Sequence, residues 1–283
     1  MKNNLALNKA KAAKNDEFYT QYCDVENECK HYIKEYEGKI IYLPCDSEES
    51  AFWKYFVDNF KGFKLKRLTA THYDDGGNTY RLDYNGVETL KTPLKGNGDF
   101  RSEECTKIKD ESDIIITNPP FSIFREFIVW VSNKKYLVLG NVLAQKDNEV
   151  INLINNNNLW GGCNYKGGTR KSSAGLWFIN KFGNETGVNA MFYTNMDNEK
   201  KHKNLILTAE YEPSKYPKYD NYDAINVNKI KDIPKDYYGV MGVPSTLLLH
   251  GWNPEQFEII GRKGAPKVNG KEIFVRLLIR RKH

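Results

Sequence analysis

The sequence predicts an α/β protein: an open, mostly parallel sheet with helices on both faces, followed by a smaller C-terminal region. Three observations predict it. Short apolar runs alternate with amphipathic stretches through the first 155 residues, the pattern of a sheet whose crossovers are helices. The apolar run 113–117 ends in a proline-rich turn and passes into another helix, and open sheets of this kind bind ligands beyond the carboxyl ends of their strands. The charge is uneven: the 283 residues carry a formal net charge of +6, yet residues 261–283 hold eight Lys and Arg against Glu272 alone.

The elements follow in order. Asp24 suits a helix N-cap, and Val25, Cys29, Tyr32, Ile33 and Tyr36 share one face, with Gly38 as the stop. A strand at 40–43 leads into the loop Pro44-Cys45-Asp46-Ser47 and a helix using Ala51, Phe52, Tyr55 and Phe56. Residues 65–71 read as a strand, and 80–84 and 87–90 flank Asn85-Gly86, a strong hairpin signal. The buried strand 113–117 precedes a helix through Phe127, Ile128 and Val131 that Ser122 can cap. A strand at 136–139 and a helix at 148–154 come next, then an Asn- and Gly-rich stretch and short strands at 176–179, 190–193 and 205–208. Residues 211–238, rich in Tyr, Pro, Lys and Asp, read as the passage into a C-terminal module.

Composition narrows the function classes. With 40% hydrophobic and 28% charged residues, the chain is neither a coiled coil nor wholly disordered. No apolar run approaches the roughly 20 residues of a membrane helix. The N-terminus is basic without the apolar core of a secretory signal, so the expectation is a soluble, cytoplasmic protein without a membrane partner. The five cysteines are odd in number and form no CxxC pair, which argues against a disulfide framework or a zinc site. The basic C-terminal end, with Arg262, Lys263 and Lys267 at its start, together with Lys2, Lys9, Lys11 and Lys14, suits a polyanion, because Lys and Arg neutralise phosphates and release counterions. A solvated tail accounts for the same charge.

The stretch that carries chemistry is Asn118-Pro119-Pro120-Phe121, at the end of an apolar strand. Two prolines fix the backbone and remove two N–H donors, leaving a turn that mainly accepts hydrogen bonds. The Asn118 side-chain oxygen and the Pro119 carbonyl can converge on one amino group, and Phe121 can stack on a base, a contact worth about 1–3 kcal/mol. An amino nitrogen conjugated with a ring is a poor nucleophile. Two acceptors on its hydrogens favour a pyramidal nitrogen whose lone pair points at an electrophile, with alignment supplying most of the catalysis.

With these residues the chain resembles the EcoRI-type DNA adenine-N6 methyltransferase family, across nearly its whole length. Phe18-Tyr19-Thr20 resembles the N-terminal segment that touches the cofactor, S-adenosylmethionine. Pro44-Cys45-Asp46 stands where its methionine part lies, Gly98-Asp99-Phe100 resembles the motif that holds its adenine, with Asp99 accepting from the amino group, and Asn118–Phe121 is the catalytic turn. The segments 239–244 and 253–261 also resemble this family. The resemblance implies a Rossmann-like methyltransferase sheet over residues 1–210, a basic target-recognition region over 211–283, and a double-stranded DNA substrate whose adenine is flipped out. It also implies a monomer, and it leaves open a cognate restriction endonuclease acting on the same site without binding this chain. The glycine loop common in methyltransferases is absent after the first strand, and Thr71, His72, Tyr73 and Asp74 all stand where the ribose is bound. Lys166, Arg170 and Lys171, among glycines and serines, suit a loop on DNA phosphates or an ordinary exposed loop. The rivals are the same chemistry on cytosine N4 or on an RNA adenine, and an inactive nucleic-acid-binding protein on the same scaffold.

Overall fold

The computed structural model describes residues 19–74, 76–163, 176–179 and 185–282. The chain divides into two compact units, Met1–Asn141 with Gly162–Asn198, and Val142–Gly161 with Glu199–His283.

The first unit is built on β1 (Ile40–Pro44), β2 (Arg67–His72), β3 (Tyr80–Tyr84), β4 (Thr89–Pro93), β5 (Ile114–Thr117), β6 (Lys135–Asn141) and β7 (Ala190–Thr194). Within this unit the sheet order is β4-β3-β2-β1-β5-β6-β7. The four central strands β2, β1, β5 and β6 run parallel, whereas β3, β4 and β7 add on antiparallel. The expected parallel sheet is therefore the centre of a mixed one. The chain leaves β1 towards β2 on one side and returns to β5 on the other, so the order reverses at β1, where open α/β sheets place their ligand crevice.

Period-two alternation divides the faces. Ile41 and Leu43 of β1 join Ile114, Ile116, Leu137 and Leu139 in one core with Val25 and Cys29 of α1 (Tyr22–Cys29) and Phe52 and Phe56 of α2 (Ala51–Asp58). Tyr42 faces the other way, towards Cys105 of α3 (Glu103–Glu111). Helices therefore cover both faces, as the sequence predicts. Ser50 and Ser102 cap α2 and α3, their hydroxyls accepting from Trp53 and Cys105 N–H.

Four local expectations are corrected. Gln21, not Asp24, is the N-cap of α1; Asp24 sits in its first turn, where its charge meets the positive end of the helix dipole. A 3-10 turn at Lys30–Tyr32 rotates the apolar face before the short helix Ile33–Tyr36, and Ile33 is left exposed. Gly86 takes φ +93° at the hairpin turn as expected, but Asn85 Oδ1 accepts from Val87 and Glu88 N–H at 2.9 and 3.0 Å, which holds both in the turn, and β4 begins only at Thr89. Ser122 caps nothing. The prolines deliver the chain into a 3-10 turn, Phe121–Ile123, closed by Ile123 N–H on the Pro120 carbonyl at 3.2 Å, and α4 (Phe124–Val131) starts after it.

The second unit carries a sheet in the order Lys218–Tyr219, Tyr222–Asn226, Met241–Pro244, Arg276–Arg281, Phe257–Lys263. Two of these strands lie in 211–238, the expected passage. Residues 205–208 are not a strand: Gln256 donates to the Leu205 carbonyl and accepts from its N–H, at 3.0 and 2.9 Å, so a side-chain amide takes the place of a neighbouring strand. The helix Asn148–Asn155 is tied to the sheet by Asn155, whose amide exchanges two hydrogen bonds with the Ile259 backbone. Among the described residues no helix is long and apolar enough to cross a membrane.

Phe127 of α4 is fully buried, with its ring 5.0 Å from that of Phe100 and 5.5 Å from that of Trp130. Phe127→Ala is expected to cost about 3–5 kcal/mol, read as a lower urea midpoint with an unchanged slope.

Candidate active site

The carboxyl ends of β1, β2 and β5 bring three of the segments singled out in the sequence together. Cys45, directly after β1, has φ +73°. Where the glycine loop is missing, a cysteine occupies the left-handed region that only glycine enters without strain, at about 1–2 kcal/mol for an L-residue, and such strain persists only where the surroundings hold it. The next residue supplies that hold. Asp46 is buried; its N–H donates to the Thr71 carbonyl at 3.2 Å, and its Oδ2 lies 2.6 Å from the Thr117 hydroxyl.

Thr117 Oγ1 also contacts the Pro44 carbonyl. One hydroxyl proton cannot serve two acceptors. Burial pushes the Asp46 carboxyl up to about 7, although Thr117 and Ser50 hydrogen bonds pull it down. Below that value the protonated Asp46 donates to Thr117, which donates to Pro44, so that both acceptors are satisfied. This chain of bonds fixes the loop after β1 against the residue that precedes Asn118.

Asn118 directly follows β5 and is half-buried, and its Nδ2 donates to Thr20 Oγ1 at 3.3 Å. Thr20 is held by pairing of the strand Tyr19–Thr20 with Leu176–Ile179. The N-terminal segment and the proline turn therefore meet through Thr20. Pro119 is buried, Pro120 is partly exposed, and Phe121 packs partly against the core.

Gly98 brings a third segment in. It has φ +77°, and a Cβ there would stand 2.4 Å from the His72 carbonyl oxygen, so only glycine lets the 97–99 loop approach the end of β2. Asp99 is gripped by Arg101, whose Nε and Nη2 reach its two oxygens at 2.9 and 2.6 Å, while Arg101 Nη1 reaches Glu126 at 2.8 Å. The guanidinium holds the Asp99 carboxyl below the usual carboxylate range, so it stays an ionised acceptor. Phe100 is 3% exposed, packed on Phe127 and Trp130; it anchors the loop in the core and offers no face to a ligand.

The residues at the ribose position separate. The Thr71 hydroxyl is fully buried and paired with the Tyr42 hydroxyl at 2.7 Å, so it acts inside the sheet. His72 stacks on Tyr80, Asp74 binds the Gly76 and Asn78 N–H groups of its own loop, and Tyr73 is exposed. Phe18, Lys166, Arg170 and Lys171 lie outside the described residues, as does the Tyr19 side chain. In the second unit Arg262 pairs with Asp147 at 3.6 Å, Lys263 lies over the Tyr222 ring, and Lys267 is exposed. Sequence reasoning missed Thr117 and Arg101. A hydroxyl closing an apolar strand, and an Asp-x-Arg spacing before a helix cap, were the signals.

Two outcomes follow from this geometry. Asp46 binds a proton in the folded state between its usual 3.8 and about 7 but not when unfolded, so folded stability falls as pH rises through that window and the penalty is complete above it. Asp46→Asn is expected to flatten this slope, measured by urea unfolding at a series of pH values between the usual 3.8 and about 7. Gly98→Ala is expected to cost about 1–3 kcal/mol of stability, because it forces a side chain into the left-handed region and against the His72 carbonyl, read as a lower urea midpoint.

The family described as adenine-specific methyltransferase EcoRI matches residues 6–282. The chain is 41% identical to the Type II methyltransferase M.EcoRI of Escherichia coli, over 99% of this chain and 97% of that protein. It is 37% identical to M.MpnI of Mycoplasma pneumoniae, over 90% of this chain and 84% of that one, and 34% identical to M.MgeORF184P of Mycoplasma genitalium, over 97% and 98%. No solved structure matches. A proline-stiffened Asn turn at the reversal point of a parallel sheet core, and likeness over essentially the full length, lead to one conclusion: the chain belongs to the EcoRI family of adenine-specific methyltransferases.

Proposed function

We propose that the chain transfers a methyl group from S-adenosylmethionine to N6 of an adenine flipped out of double-stranded DNA. The observation that carries this reading is the placement of Asn118, at the carboxyl end of β5, bonded to Thr20 of the N-terminal segment and preceded by Thr117, which ties β5 to the loop after β1. The neighbouring groups suit the donor. The Asp99 carboxylate, kept ionised by Arg101, accepts from an exocyclic amine; Thr20 and the backbone around Cys45 and Asp46 serve the amino-acid end. When bound, S-adenosylmethionine supplies a methyl carbon on a positively charged sulfur.

The chain's own part is positioning. Asn118 Oδ1 and the Pro119 carbonyl accept from the two amino hydrogens of the target, and Phe121 holds the base plane. No strong base is required, because the nitrogen becomes acidic only as its new bond forms. The target amine is inside the stack of a duplex, so the nucleotide must be extruded to reach this turn. Arg262, Lys263 and Lys267, with Lys166, Arg170 and Lys171, contact phosphates, and residues 211–283 supply target recognition. The enzyme works as a monomer in the cytoplasm, modifying one strand at a time, at a site that a separate restriction endonuclease can share.

Labelled-methyl transfer to DNA, followed by sequencing that detects modified bases and by mass analysis of nucleosides, tests the reading. N6-methyladenine in DNA is expected; N4-methylcytosine, or label in RNA alone, overturns it. Asn118→Ala is expected to lose at least about a hundred-fold in transfer rate, as when one oriented polar group is removed from an active site, while calorimetric binding of S-adenosylmethionine largely survives.

A further inference from the structure

We propose that Phe274 is a DNA-contacting residue that stacks on a nucleobase of the bound duplex; the inference rests on the DNA reading above. Phe274 leaves 84% of its surface in water, and its surroundings show why this is not a loose loop. It follows a two-stranded ribbon, Lys267–Val268 with Lys271–Glu272, and precedes the strand Arg276–Arg281. Val268 and Ile273 turn inward against Tyr219, Ala224 and Leu278. The Ile273 N–H bonds the Pro266 carbonyl at 2.8 Å, Asn221 bridges the Ala265 carbonyl and Lys267 N–H at 3.1 and 3.0 Å, and Asp220 accepts from Gly270 N–H at 2.7 Å. The mount is pinned from both sides, its Val268 and Ile273 side chains packed inward, while the Phe274 ring is left in water.

The charge around the ring selects the occupant. Arg262, Lys263, Lys267, Lys271 and Arg276 surround it in sequence, with Glu272 the single acid, and Lys267 and Lys271 are both exposed. An aromatic ring on a cationic ribbon matches duplex DNA at both levels. Phosphates take the ammonium groups, and a base offers a flat apolar face, as it does to the apolar wedges that other proteins insert between base steps. A two-stranded ribbon is also a shape that the major groove admits. Nothing here resembles the amphipathic helix with which proteins lie on membranes.

The test uses the full chain and a short fluorescein-labelled duplex selected for tight binding to the wild-type chain. Phe274→Ala is expected to weaken binding by about ten-fold, the worth of one base–aromatic stack, and to raise KM for DNA with kcat unchanged. Phe274→Trp retains wild-type binding. The salt slope of Phe274→Ala stays that of wild type, whereas Lys271→Ala lowers it by about one. Because the ring covers nothing, the thermal midpoint of Phe274→Ala is unchanged. Wild-type affinity and KM in Phe274→Ala overturn the inference, as does unfolding of that variant, or an equal loss of binding to phosphatidylserine vesicles. A wild-type chain that binds the duplex without methylating it refutes the enzymatic reading alone; one that methylates while indifferent to Phe274→Ala refutes only this inference.

Discussion

The buried contact between Thr117 and Asp46 is the joint on which the site depends. Strands β1 and β5 are neighbours by backbone pairing, but pairing alone leaves the two loops beyond their ends independent. The hydroxyl of Thr117 reaches both the Pro44 carbonyl and the Asp46 carboxyl, so the left-handed corner at Cys45 and the proline turn at Asn118 move as one body. Desolvation at that depth raises the Asp46 carboxyl to about 7, which favours the neutral form inside the fold.

A second constraint works beside it through backbone contact. Gly98 lets the 97–99 loop rest on the last carbonyl of β2, and Phe100 nails the same loop into the core under α4. Between these two anchors Asp99 has its direction set by Arg101, which in turn reaches Glu126 on α4. The carboxylate is thus aimed from a helix rather than left to a loop, and each part of the site is carried by an element of the sheet-and-helix frame.

Much of this frame is legible in the sequence because its signals are periodic or stereochemical. The apolar runs at 40–43 and 113–117 become buried strands, Asn85-Gly86 turns a hairpin, and the prolines after Asn118 end the strand before them. What the sequence does not disclose depends on side chains that replace backbone. Gln256 imitates a strand for Leu205, Asn85 lengthens its own turn, and the Tyr42 hydroxyl claims Thr71; none of these pairings leaves a trace in local spacing. Phe100 shows the same limit from another side: a motif position suggests a ligand contact, while burial assigns the ring to packing.

The helix Asn148–Asn155 belongs to the second unit although the chain returns to the first before the rest of that unit is made. The amide of Asn155 grips the Ile259 backbone across more than a hundred intervening residues. The second unit is consequently not a cassette on a single tether. Separating that unit from the first means cutting the chain at three boundaries, after Asn141, Gly161 and Asn198, and its sheet is incomplete until the strand Arg276–Arg281 has been made.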